Sequence, residues 1–361
     1  MFIGEREKKK ILYWFERRLH ASPLIELALH KKVPVHKHSV WYYFGGISML
    51  LLVVQFVTGI LLMVYYVPEL GSAHASILKI NSSIEFGWFI RSLHSWGANL
   101  MILAVFVHFF STYFMKAYRK PRELTWLSGV ILLVLCLGFG FTGYLLPWDE
   151  VSFFATKIGL DISSKTPLIG DMMALMLRGG HNIGQATLSR FFAIHVAVLP
   201  VMLMGLLSLH LAIVQAHGMS APKEFNETPE EKKEYEPFFP DFFMKDILVW
   251  ILAGNLLFVL TMLCPWGIGP EADPFAPAPI GIKPEWYFLA MFQFLKLIPP
   301  MVGPMEGELF GVLLMGVYAL ALALVPLWDT GESEVRSRLA TGLGVVTLLF
   351  MIIFSAWGAM S

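Results

Sequence analysis

The sequence predicts an all-α integral membrane protein: a four-helix bundle followed by three more transmembrane helices, seven spans in all, with the N-terminus inside. Three observations carry that prediction. Of the 361 residues, 56% are hydrophobic and only 15% are charged, where a soluble domain carries about 25% charged residues. Seven stretches approach or exceed the length needed to cross a bilayer core, which takes about 20 apolar residues per helix: 40–67, 95–113, 124–146, 191–214, 247–263, 309–327 and 339–359. The N-terminal segment and the second–third, fourth–fifth and sixth–seventh connections hold 19 of the 27 Lys and Arg residues, among them Lys8, Lys9, Lys10, Arg119, Lys120, Arg122, Lys232, Lys233, Arg336 and Arg338. Lys and Arg concentrate on the cytoplasmic side of membrane proteins, so these connections are inner.

The formal net charge is zero, which points to no nucleic-acid partner. No cleavable signal peptide is expected, because the first 40 residues are polar and basic. Cys136 and Cys264 form no CxxC, no CxxCH and no disulfide framework, so no c-type haem attachment and no cysteine-held iron–sulfur cluster is expected. Two outer loops, 147–184 and 265–307, are long, and the second is rich in proline. Loops of that length are functional or packed by a partner. The inner segment 221–240 is charged and bears prolines, which suggests a linker. The expected organisation is a basic inner arm over 1–39, a four-helix domain over 40–220, the linker, and a three-helix domain over 241–361.

Ionisable residues inside a membrane helix are functional hypotheses by default. The second span carries His94 and His108, 14 residues apart, and the fourth carries His195 and His210, 15 apart. At about 100° and 1.5 Å per residue each pair stays near one face and spans about 21–22 Å, inside a hydrocarbon core of about 30 Å. Both spans run from outside to inside. His94 and His195 therefore lie near the outer side, and His108 and His210 near the inner side. Facing histidine pairs at two depths are what bis-imidazole haem ligation requires. The remaining readings are four interhelical hydrogen-bonding histidines, the dihaem anchor subunit of another respiratory oxidoreductase, and a transporter moving protons on histidine.

Glycine spacing runs parallel. Gly45 and Gly59 on the first span, and Gly129 and Gly143 on the third, are also 14 apart. Glycine leaves room where a bulky group lies against backbone, here two flat macrocycles, although small-residue helix packing has the same signature. Arg91, one turn outward of His94, can pair with a haem propionate or snorkel to the interface. His20, His30, His36, His38, His74 and His181 lie in loops or the arm without matched partners and are read as solvated.

Several motifs resemble one family over nearly the whole chain. RSLHSWGAN surrounds His94, PRELTW covers 121–126, and FGFTGYLLPWDE covers 139–150. GQATLSRFFAIHVAVLP surrounds His195, and EADPFAPAPIGIKPEWYF covers 271–288. These are similar to cytochrome b of the cytochrome bc and b6f quinol-oxidising complexes. The 15-residue spacing of His195 and His210 and the seven spans resemble the chloroplast branch, with its two separate chains here joined in one. That branch tethers a third, c-type haem through a cysteine early in the first span. Tyr43 stands at that position, so no third haem is expected. Gln215, Ala216 and His217 follow the last histidine where the chloroplast type is basic, and Lys245–Asp246 resembles the inner quinone site of the mitochondrial type.

The resemblance implies a set of roles. Two b-type haems sit on His94/His195 and His108/His210. A quinol binds on the outer side between the PWDE and PEWY regions. Pro284, Glu285, Trp286 and Tyr287 form the PEWY element, with Glu285 as proton acceptor and Tyr144 and Tyr287 positioning the quinol. On the inner side Asp246 and His217 donate protons to reduced quinone, and Lys245 holds charge. Partners implied are a Rieske iron–sulfur protein, a cytochrome c-type acceptor, quinone, membrane lipid and a second copy of the complex. The location implied is a bacterial or archaeal cytoplasmic membrane.

Overall fold

The computed structural model describes residues 30–361, together with residues 7, 10, 13, 14 and 16–18. Lys8, Lys9 and His20 lie outside the described residues. The principal helices are α1 (Tyr43–Met63), α2 (Ala73–Ser82), α3 (Gly87–Phe114), α4 (Glu123–Tyr144), α5 (Glu150–Ser164), α6 (Gly170–Arg178), α7 (Gln185–His217), α8 (Phe243–Leu263), α9 (Trp286–Leu297), α10 (Gly307–Ala323) and α11 (Glu334–Met360). Among the described residues α1, α3, α4, α7, α8 and α11 are long and apolar enough to cross a membrane. The seventh, α10, has 17 residues, about 26 Å at 1.5 Å per residue, at the lower limit of a span.

Two of the boundaries that depart from those read in the sequence, and one interior turn, have a clear physical reason. Helix α3 begins at Gly87 rather than at 95. Arg91, which hydropathy excludes from a span, is buried and donates to the carbonyls of Trp266 at 2.7 Å and Gly267 at 3.0 Å, and a buried charge is tolerated when so satisfied. Helix α10 stops at Ala323, with 325–328 a separate turn. Pro326 has no amide proton and its ring opposes the carbonyl four residues back. Helix α7 contains a π turn over Ile194–Val198, just before Pro200, whose missing donor breaks the regular ladder. A π turn takes up one extra residue. The 15-residue separation of His195 and His210 thus offsets against the 14-residue separation on α3.

Within the bundle α1 lies along α3, α4 lies along α7, and α8 packs on α1 and α3, while α9 packs on α11. Leu51, Met101, Leu135, Cys136, Leu199 and Leu203 form a buried apolar layer halfway down the bundle, between the two histidine levels.

Both faces carry built caps. On the inner face β1 (Lys32–Pro34) pairs antiparallel with β2 (Tyr235–Pro237), Val33 opposite Glu236. The segment expected to be a linker is therefore tied to the arm. On the outer face α2, α5 and α6 lie in the loops, and Asp149 caps α5 by accepting from the Ser152 amide at 2.9 Å. The two long loops bond to each other: Glu150 N donates to Pro270 O at 2.9 Å and Ala272 N to Trp148 O at 3.1 Å. His74, read as solvated, is buried there, with Nε2 2.8 Å from Gly269 O. His36, also read as solvated, is half-buried with Nε2 2.7 Å from Tyr42 Oη. Segments distant in sequence draw both in, the Gly269 loop for His74 and the Phe225 ring, 5.8 Å away, for His36, whereas His30 and His181 are exposed as expected.

Candidate functional site

Helices α3 and α7 bring His94 and His195 face to face, with ring centres 6.4 Å apart and planes 72° apart. Two metal–imidazole bonds of about 2 Å each, plus the distance from each nitrogen to its ring centre, fill just such a separation. His94 and His195 line an outer cavity of about 290 Å³, and His108 and His210 line an inner one of about 500 Å³. Leu52, Met101 and Cys136 line both, so only the apolar layer separates the two levels.

The four glycines each face one histidine, level for level. A Cβ built on Gly45 would lie 3.4 Å from His108 Cε1, on Gly59 3.3 Å from His94 Cε1, on Gly129 3.3 Å from His210 Cε1, and on Gly143 2.6 Å from His195 Cε1. The room they leave is thus taken first by the imidazoles. The partner helix of each pair supplies the notch: α1 for the histidines of α3, α4 for those of α7.

Hydroxyls hold three of the rings. Thr58 Oγ1 is 2.9 Å from His94 Nδ1, Thr142 Oγ1 3.1 Å from His195 Nδ1, and Ser128 Oγ 2.9 Å from His210 Nδ1. All three side chains are buried. They were missed in the sequence, where the available signal is a hydroxyl residue directly before three of the four glycines. Occupying Nδ1 leaves Nε2 of each ring for a metal. The donor set, the facing separation and the notches therefore fit a bis-imidazole haem at the outer level. The inner level repeats the notches, with one hydroxyl.

The outer cavity also collects Arg91, Tyr144, Pro147, Asp149, Glu285 and Tyr287. Arg91 spends its hydrogen bonds on the Trp266 and Gly267 carbonyls of the second long loop. Glu285 is the residue before α9. Burial first, and then the nearby Asp149 charge, raise its carboxyl above the ordinary carboxylate range. Tyr287 packs against Gly140, where a Cβ would lie 2.7 Å from its Oη. Pro284 and Trp286 do not line the cavity; the Trp286 indole donates to Asn99 Oδ1 at 2.7 Å and so anchors α9 on α3.

On the inner side Asp246, Trp250, Arg122, Lys31 and His217 line the cavity. The Asp246 carboxyl and the Trp250 indole N–H are buried side by side, one turn apart on α8, with the indole directed at the carboxyl. They pack where a Cβ on Gly46 would fall 2.5 Å from Asp246 Oδ1. Lys245, expected beside them, is turned away: it is exposed and ion-paired with Glu236, because one residue along a helix rotates a side chain about 100°. Two cations take its place. Lys31 reaches Gln215 Oε1 at 2.7 Å and Arg122 reaches the His217 carbonyl at 3.0 Å; their proximity to Gln215 and His217 depends on the arm and on the α3–α4 connection folding back.

A membrane bundle with one histidine pair face to face, a second pair lining an inner cavity, and each ring seated against a glycine defines an intramembrane cytochrome of the b type. Comparison with known proteins agrees. The family model described as cytochrome b/b6/petB matches residues 29–218, and that described as cytochrome b(C-terminal)/b6/petD matches 271–361. The chain is 45% identical over 352 residues to a cytochrome bc complex cytochrome b subunit of Chlorobaculum thiosulfatiphilum, covering 97% of this chain and 81% of that protein. It is 40% identical over 213 residues to a cytochrome b6 of Synechococcus elongatus, covering 59% of this chain and 99% of that one. A solved chain described as hyperthermophilic respiratory Complex III has the same fold, with a TM-score of 0.79 at 23% identity over 97% of this chain and 99% of that chain. The chain belongs to the cytochrome b family, as an integral multi-pass electron-transfer subunit, and membership implies b-type haem.

Proposed function

We propose that this chain is the dihaem core of a bc-type quinol oxidoreductase, which oxidises quinol at the outer cavity and reduces quinone at the inner one. The observation that carries the reading is the pair of stacked histidine levels, His94/His195 and His108/His210, joined to two cavities with different polar groups. Held by these four histidines, two b haems would supply one-electron carriers between the two cavities, and a Rieske iron–sulfur protein with a cytochrome c-type acceptor would take the other electron of each quinol.

The chain's own residues handle the substrate and its protons. At the outer cavity Tyr144 and Tyr287 flank the quinol ring, and Gly140 gives Tyr287 its place. Glu285 accepts a quinol proton, since a carboxyl with a raised pKa takes up a proton more readily near neutrality. The loop contacts of Trp148, Asp149, His74 and Arg91 hold the cavity wall in position. At the inner cavity Asp246 faces the quinone as a proton donor, and His217 delivers protons from the rim. Lys31 and Arg122 add positive charge there. Releasing protons outside and consuming them inside moves charge across the membrane, worth about 2.3 kcal/mol per unit charge per 100 mV. We assign residues 40–220 to the haem-binding unit and 241–361 to the unit bearing the PEWY loop, and we propose that the complex is a homodimer.

The test is the haem content of the purified complex. Two b haems per chain are expected in the reduced-minus-oxidised spectrum. His94→Leu and His195→Leu should each remove one and the same haem, and His108→Leu and His210→Leu the other. Loss of the same haem in the His94 and His210 variants, or far less than two haems per chain, would overturn the reading.

A further inference from the structure

Three of the four histidines share a partner of one design. Thr58, Thr142 and Ser128 each stand one residue before the glycine that faces the ring, Gly59, Gly143 and Gly129. Each hydroxyl has a second contact inside its own helix. Thr58 Oγ1 donates to Val54 O at 2.6 Å, Thr142 Oγ1 to Gly138 O at 2.8 Å, and Ser128 Oγ to Thr125 O at 2.9 Å. A hydroxyl has one proton and two lone pairs. With the proton directed at a backbone carbonyl, the oxygen offers only a lone pair to the imidazole. The ring nitrogen must then be the donor: Nδ1 carries the hydrogen of His94, His195 and His210, and Nε2 keeps its lone pair.

His108 breaks the pattern. The residue before Gly45 is Phe44, and His108 Nδ1 is buried with no hydrogen-bond partner among the described residues. The outer pair therefore has two hydroxyl acceptors behind its histidines and the inner pair has one.

We propose that Thr58, Thr142 and Ser128 are positioning residues that set how strongly each histidine donates to iron, and that Phe44 leaves the inner pair the weaker donor. This rests on the haem reading above. An acceptor on the distal ring N–H fixes the tautomer and raises the basicity of the ligating nitrogen. A more basic ligand favours the ferric state, so ligand hydrogen bonding is a lever on reduction potential. The four residues before the glycines thus tilt the two levels in one direction, the outer toward lower potential and the inner toward higher. With haems held at both levels, this tilt would favour the electron on the inner level without any difference in ligand type.

The experiment is a redox titration of the purified complex, following each haem at its own absorbance band, with haem content measured in parallel. Thr58→Val and Thr142→Val remove an acceptor at nearly constant shape and should raise the potential of the outer haem alone. Ser128→Ala should raise that of the inner haem alone. Phe44→Thr places a hydroxyl before Gly45 and should lower the inner potential. Thr58→Ser keeps the acceptor and should leave both potentials in place. Loss of the outer haem in Thr58→Val but not in Thr58→Ser would also support the assignment. With both haems bound, an outer potential unmoved in the two valine variants, or an inner potential that moves as far, overturns it. Absence of two b haems from the unsubstituted complex would instead overturn the haem reading.

Discussion

Replacing the four notch glycines one at a time by alanine should produce a graded loss of haem, ordered by space rather than by depth. At Gly143 the added Cβ would fall 2.6 Å from His195 Cε1 and 3.1 Å from its Nδ1. Carbon atoms rest about 3.5–4.0 Å apart, so the ring must retreat by about 1 Å. It cannot do so freely, because Thr142 holds Nδ1 at 3.1 Å and His94 faces it across 6.4 Å. Overpacking of this kind costs about 1–3 kcal/mol. Placed on the bound state, that is about a 5- to 150-fold weaker retention of the outer haem, since each 1.4 kcal/mol is tenfold. At Gly59 and Gly129 the contact is 3.3 Å, which a shift of a few tenths of an ångström relieves, and at Gly45 it is 3.4 Å, an ordinary contact. The expected order of loss is Gly143→Ala, then Gly59→Ala and Gly129→Ala together, with Gly45→Ala nearly unaffected. The assay is haem per chain after detergent purification and dialysis against a haem scavenger, read by the pyridine haemochrome and the difference spectrum. Full retention in Gly143→Ala alongside loss in Gly45→Ala would refute the assignment of these notches to the rings.

Three further outcomes are expected. Quinol oxidation should rise with pH as Glu285 loses its proton, because burial and the Asp149 charge hold that carboxyl above its ordinary range and only the ionised form accepts a proton; Asp149→Asn should move the inflection of kcat/KM to lower pH, and an unmoved inflection counts against Asp149 as a cause. Gly140→Ala should lower kcat for quinol oxidation while both haems remain bound, because the new methyl would meet Tyr287 Oη at 2.7 Å and Cε2 at 2.9 Å; equal loss of haem would show that the notch serves the bundle instead. Asp329, whose side chain is fully buried, pairs with Arg119 at 2.8 Å and Lys116 at 3.6 Å and accepts a hydrogen bond from Tyr118. Burial alone would raise its carboxyl, but those hydrogen bonds and charges hold it below the ordinary range. Its contribution is present above the unfolded value of about 3.9 and is lost as the pH falls through the folded one. Asp329→Ala should therefore cost about 3–5 kcal/mol near neutrality, seen as a lower unfolding midpoint in detergent, with the gap to the parent protein closing in acid.

The amino-acid sequence by itself determined the spans and the histidine levels, because both are written in local periodicities: runs of apolar residues matched to bilayer thickness, and spacings of 14 and 15 residues that keep a side chain near one helix face. It also held the glycine spacing, since a notch must repeat with the ring it admits. What tertiary structure decided are the pairings between distant segments. That Gly59 faces His94 while Gly143 faces His195 follows from which helix lies along which. That α7 takes 15 residues between its histidines where α3 takes 14, with each pair still sharing a cavity, follows from the π turn ahead of Pro200. Arg91 enters α3 only because loop carbonyls more than 170 residues away satisfy it. Lys245 faces outward while Lys31 and Arg122 take the inner cavity, because the arm and the α3–α4 connection fold back over the bundle end. Hydropathy and spacing act along one helix, whereas a buried charge or ring nitrogen is satisfied wherever the packed chain brings a partner, and only the folded arrangement decides which residue that is.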